Sequence, residues 1–224
     1  MFKITRSTQL TLTNRDMLFG DLSLDYWTAI DCNDSPWDLF KVAKKKVDKG
    51  NIAEAVQILQ AITALPGLES RQYLQAWHFI NNLQAFNEHD IMIFGVVLEL
   101  SMPEGHDIVA VYADRSARYL NYSGKTIFWE HGDHSLDQLI DNIFMQAEGI
   151  VAKIGPWKDA RPQPTGKEMA RINFLTSHGL HFGEANQRVL FNDVLAGKIM
   201  YSMLDVAQSL INKTEEPLQS ATAK

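Results

Sequence analysis

Apolar residues recur every three or four positions through residues 35–87, then give way after Asp90 to short β-branched and aromatic runs. The chain therefore reads as a helical part followed by a sheet-bearing part. Trp37, Phe40, Ala43 and Val47 form one stripe of a first helix that ends at Gly50. Ser35 with Asp38 three residues on has the form of a capping box, and Pro36 suits the first helical position. Asn51 with Glu54 repeats the capping signal, and Ile52, Ala55, Val56, Leu59 and Ile62 keep helical spacing until Leu65, Pro66 and Gly67 stop it. A third helix is predicted over residues 69–86, with Leu74, Trp77, Phe79, Ile80 and Leu83 on its apolar face. Connections this short make the helices antiparallel neighbours.

Residues 91–100, 107–114, 117–122 and 125–130 read as strands, joined by turns at 114–116 and 123–124 that imply an antiparallel meander. Ser135 with Gln138 caps a further helix whose Leu136, Ile140, Ile143, Phe144 and Ala147 can cover one face of that sheet. Three prolines make residues 155–167 a stiff, exposed connection. Residues 170–176 and 180–184 form a hairpin. Asn192 or Asp193 then caps a last helix with a buried stripe of Leu195, Ile199, Met203, Val206 and Leu210.

The expected class is α+β: a helical hairpin or three-helix part, then an antiparallel meander packed with two further helices. Its divisions are a strand and loop segment over 1–34, helices over 35–87, sheet and helices over 90–211, and a flexible tail over 212–224. Within the first, the threonine-rich alternation of residues 2–13 predicts a strand or strand pair. At 224 residues these parts can equally form one compact domain.

Composition narrows the function classes. Hydrophobic residues at 46% and charged residues at 21% are those of a folding chain. A net charge of −6 disfavours nucleic acid, and Lys44, Lys45 and Lys46 read as the solvated face of a helix. Cys32 is the only cysteine, so no intrachain disulfide can form and a reducing compartment is expected. No apolar run is long enough to span a bilayer and residues 1–20 lack the pattern of a signal peptide, so the cytoplasm is the expected location.

Within residues 39–66, Gly50, Asn51, Glu54, Ala55, Leu59 and Pro66 fall near the positions of a tetratricopeptide repeat, which this stretch resembles. No second copy follows at a 34-residue interval, so a single helical hairpin is the reading. The stretches PWDLFKVAKKK (36–46), ESRQYLQAWHF (69–79), ARYLNYSGKTIFWE (117–130) and LTSHGLHFGE (175–184) are similar to a family of bacterial proteins with no assigned activity. That resemblance implies a bacterial source and no chemistry.

Gly124, Lys125 and Thr126 copy the end of a phosphate-binding loop, but Tyr119 stands where its first glycine is required. No nucleophile elbow, zincin helix, paired-cysteine motif or dinucleotide fingerprint occurs. The strongest chemical signal is histidine. Glu130, His131, Asp133 and His134 share one loop, and His178, His181 and Glu184 surround the later hairpin. If the two loops meet, His131, His134, His178 and His181 can hold a divalent metal that activates water for hydrolysis. If they do not, these are polar loop histidines; His178 and His181, three apart, point to opposite faces of a regular strand.

Arg118 and Tyr122, crowded with Arg115, Tyr119, Asn121 and Lys125, form either an aromatic and basic face for single-stranded nucleic acid or an anionic ligand, or ordinary sheet packing, which the acidic total favours. Alternation puts Arg118 with Leu120 and Tyr122 on one face and Tyr119 with Asn121 on the other. Trp157, in the proline-rich connection beside Lys158 and Arg161, is a candidate interface anchor, whereas the other tryptophans are expected in cores. The missing enzyme signatures and the helical hairpin lead to the expectation of a non-enzymatic cytosolic binding or regulatory protein that contacts another protein or a second copy of itself. The alternative is a metal-dependent hydrolase built on the two histidine loops.

Overall fold

A computed structural model describes residues 13–83 and 90–221. The strand expected over 2–13 lies, but for Thr13, outside them, as do residues 84–86 of the third helix and the end of the tail. The protein has a mixed α+β fold in which four N-terminal helices precede a six-stranded antiparallel sheet and further helices.

The first helices are α1 (Leu24–Thr28), α2 (Trp37–Asp48), α3 (Ile52–Thr63) and α4 (Ser70–Leu83). Their stripes meet as the spacing predicts: Phe40, Ala43, Leu59, Ile62, Ala76, Phe79 and Ile80 form one buried cluster, joined by Leu22 and Trp27. Trp27 lies 4.6 Å from Trp37 between ring centroids and meets the ring of Phe40 edge-on at 5.7 Å. Gly50 takes φ +75°, the left-handed turn that ends α2 after one short connection.

The expected capping boxes do not form. Pro36 occupies the cap position of α2, so Ser35 is displaced from it, and the Asp34 carbonyl instead receives the N–H groups of Trp37 and Asp38. Asn51 places no side-chain oxygen on the start of α3, and Glu54 pairs with Lys46 across the hairpin. Before α5 (Asp137–Val151) the cap position falls on Leu136, and Gln138 turns to Asn142.

The strands are β1 (Ile93–Met102), β2 (Gly105–Tyr112), β3 (Ala117–Leu120), β4 (Thr126–Trp129), β5 (Met169–Thr176) and β6 (Gly179–Asn186). Their order is β4-β3-β2-β1-β5-β6, so the meander and the later hairpin are one sheet, joined where β5 pairs with β1. β1 is buried on both sides along most of its length, which is why it reads as a continuous apolar run rather than an alternating one. On one face Val96, Leu98, Val109, Val111, Ile172 and Phe174 pack under α5 and α7 (Ala196–Ala221). On the other, Val97, Ile108, Ala110, Tyr112 and Leu175 meet Leu18, Phe19 and the Leu74 side chain of α4.

Helix α4 thus belongs to two clusters, through Leu74 on the sheet side and Phe79 and Ile80 on the helical side. Polar contacts reinforce it. The buried Gln75 amide accepts from Leu22 N at 3.1 Å and donates to Leu22 O at 2.8 Å. Asn81 donates to Ser177 O at 2.9 Å, and Ser70 and Asp114 exchange two hydrogen bonds.

Helix α6 (Gln187–Asn192), capped by Asn186, was not expected from the pattern, because six residues are too few to show a stripe. Asp193 caps the chain entering α7 as predicted: its Oδ1 accepts from Leu195 N at 2.9 Å and Ala196 N at 2.8 Å, which lowers its pKa. Leu195 therefore precedes the helix and is 41% exposed instead of belonging to the buried stripe. Residues 212–221 of the expected tail continue α7. Among the described residues no helix is long and apolar enough to cross a membrane.

Candidate functional site

At the end of β4 the chain turns sharply into α5, and the turn gathers titratable groups. His131 adopts a left-handed φ of +53°, an uncommon conformation for a residue with a side chain, and its Nε2 lies 2.9 Å from Asp137 Oδ1. His134 stands three residues before Asp137 at the helix entrance, and its Nδ1 lies 2.8 Å from Asp137 Oδ2. The imidazoles meet edge-on with centroids 5.2 Å apart. From the β2–β3 turn Arg115 donates to Asp137 Oδ2 at 2.8 Å and to Asp141 Oδ2 at 3.0 Å.

One ligand atom from each of His131, His134 and Asp137 lies within 4.8 Å of the others. Burial raises the Asp137 pKa, but the His134 hydrogen bond and the nearby charges of Arg115 and His131 outweigh it, and the net direction is down. Asp133, expected in the same group, is held elsewhere. It accepts from Ser135 N at 2.8 Å and Lys213 Nζ at 3.1 Å, and these contacts, Ser135 first, keep it at about 2.

His178 and His181 do not join this cluster. Trp129, Ala117, Val111, Val96, Phe174 and His181 stand opposite one another in one row across the sheet, with β4 at one edge and β6 at the other. Five interstrand steps separate the edges by roughly 24 Å at about 4.8 Å each. One ion cannot be shared by the four imidazoles. His181 is fully buried, with Nδ1 3.4 Å from Thr176 Oγ1 and Nε2 without a partner, and burial lowers its pKa. His178 sits in the turn, where its backbone N–H donates to Thr176 Oγ1 at 3.0 Å.

Arg118 and Leu120 do share a face, opposite that of Tyr119, as alternation predicts. Yet Arg118 is 1% exposed. Its guanidinium donates to Ala117 O, Trp129 O and Glu130 Oε1 at 2.8, 3.0 and 2.6 Å and covers the Phe128 ring, so it is engaged within its own sheet. Tyr122 is exposed, and its backbone N–H donates to Asp107 Oδ1 at 2.8 Å. Trp157 is 43% exposed. Its backbone N–H bonds Leu180 O on β6 at 2.6 Å, its indole N–H bonds Ala160 O at 3.1 Å, and its ring meets Phe182 at 5.2 Å.

Two features escaped the sequence reading. The first is a buried charge network around Glu99, which has no exposed surface. Its carboxylate accepts from Arg15 Nε and Nη2 at 2.7 and 3.1 Å, from Asn173 Nδ2 at 3.0 Å and from Arg171 Nη1 at 3.3 Å. Arg15 and Arg171 also bond the carbonyls of Pro162 and Gln163, and Arg161 pairs with Asp16 and Asp21. Three arginines so fasten the N-terminal segment and the proline-rich connection to the sheet. The available signal was an acidic residue, Glu99, and a basic one, Arg171, each inside an apolar strand.

The second feature is the corner between α6 and α7. Val189, Val194, Leu195 and Tyr201 are all exposed there, with Phe191 resting against the Tyr201 ring at 5.2 Å. The corner is held firmly from below, since the Gly197 backbone approaches α6 closely enough that a Cβ would lie 2.6 Å from Phe191 O. Set against protein-family models, curated proteins and solved structures, the chain matches none of them.

Proposed function

We propose that the protein is a non-enzymatic binding protein of the cytoplasm that docks another protein on the corner between α6 and α7. The observation that carries this reading is the gathering of four exposed apolar side chains, Val189, Val194, Leu195 and Tyr201, on one well-supported turn. Exposed apolar side chains gathered at one place mark contact sites, whereas ones scattered singly do not. On the other side of the same helix Met200, Met203 and Val206 are fully buried, so the corner is presented by a fixed element. A hydrolase with one metal between two histidine loops has no support in a sheet that puts those loops at opposite edges.

The test is site-specific photo-crosslinking in cells. A crosslinking side chain in place of Val194 should give one discrete adduct, while the same group in place of Met145, also well exposed but on α5, should give none. Adduct formation at both positions alike, or at neither, would overturn the reading.

A further inference from the structure

We propose that His131, His134 and Asp137 form a binding site for one divalent transition ion, with zinc the best fit to the donor set. The three residues lie outside the α6–α7 corner and share none of its side chains. Two imidazoles and one carboxylate are a zinc-type set that leaves a fourth position for water. Ligand atoms around tetrahedral zinc lie about 3.3 Å apart, given metal–ligand distances of about 2.0 Å. The two nitrogens stand 2.8 and 2.9 Å from the Asp137 oxygens and all three ligand atoms lie within 4.8 Å of one another, so a slight parting from the carboxylate and a closing of the two imidazoles admit the ion. His134, with 84% of its side chain exposed, is free to provide it.

The surroundings are organised for this purpose in two ways. Arg115 holds one oxygen of Asp137 and is itself balanced by Asp141, so the carboxylate is oriented by a hydrogen-bonded group behind it, as metal-binding carboxylates are. The backbone is also committed to the same point. Among the described residues three non-glycine positions have left-handed φ, namely Arg115, His131 and Glu168, and the first two both reach Asp137. Strained conformations of this sort persist where the surrounding structure needs the side chain in one place. The bound ion would tie the end of β4 to the first turn of α5.

Isothermal titration of the metal-stripped full chain with zinc chloride tests the site, with cobalt substitution giving a visible spectrum of the ligand field. The expected result is saturable one-to-one binding in the micromolar range and a tetrahedral cobalt spectrum. His134→Ala and Asp137→Asn should each weaken binding by more than about tenfold, the scale on which metal sites respond even to loss of groups behind the ligands. Because His134 is a surface residue, its variant should fold, and circular dichroism checks that it has. His178→Ala and Cys32→Ser should bind zinc within about twofold of the parent, since neither residue belongs to the proposed ligand set. No saturable binding up to millimolar zinc, an unchanged affinity in His134→Ala, or loss of binding in Cys32→Ser or His178→Ala would each overturn the proposal.

Discussion

Glu99 is a carboxylate without solvent, and only its four donors make its charge tolerable. Glu99→Ala should therefore leave the largely buried Arg15 without a carboxylate and the buried Arg171 with Glu184 alone, lowering unfolding free energy by about 3–5 kcal/mol. Urea unfolding measures it, and a loss below about 1 kcal/mol would show that the network is solvated in the native state. Asp16 carries a related effect into pH. Burial raises its pKa, but hydrogen bonds from Arg161 and Thr13 prevail and hold it at about 2, below the ordinary 3.8. A depressed carboxyl stabilises the fold above the unfolded value and loses that contribution as pH falls through the folded one. The melting-temperature advantage of the parent over Asp16→Asn should thus shrink from about pH 5 to about pH 2; a constant difference would refute the linkage. The partners of Glu99 were not legible in the sequence, because Arg15 and Arg171 lie 84 and 72 positions from it and no local pattern connects them.

Elements were legible where they are long and periodic. The stripes of α2, α3, α4 and α5 and the strand runs from β1 to β6 follow from apolar spacing alone. Helix starts were less so, since a capping box depends on which residue leaves helical geometry, and Pro36 and Leu136 took that place. The histidine loop was visible as a cluster, but Asp137, its organising member, sits inside the helix and reads as an ordinary first-turn acid. Gly197→Ala places a methyl group against the Phe191 carbonyl, a backbone atom that cannot rotate away. The variant should lose about 1–3 kcal/mol, as over-filled cores do, and its α6 amides should exchange faster. Parental stability and exchange would mean that α6 docks more loosely than the geometry implies.

Across the whole molecule the sheet is the frame to which everything else is attached. β1 and β5 are paired on both sides and covered on both faces, whereas β4 is a four-residue edge strand. Amide exchange should accordingly be slowest at Val96, Val97, Leu98, Ile172 and Asn173 and much faster at Ile127 and Phe128, because protection follows the opening free energy of each unit. Uniform protection over all six strands would contradict that ranking. The pairing of β5 with β1 is also what the chain pattern could not announce: two hairpin-like segments separated by α5 do not say in sequence that they share a ladder.

That ladder has a consequence for biosynthesis. β1 is made early, and β2 soon satisfies one of its sides, but the strand that completes the other is translated only after α5 and the proline-rich stretch. During that interval the nascent protein carries a long apolar strand with bare amides and carbonyls along one margin, the kind of surface that other emerging chains can annex. Ribosome-bound intermediates stalled between α5 and β5 should be where this protein most depends on a chaperone.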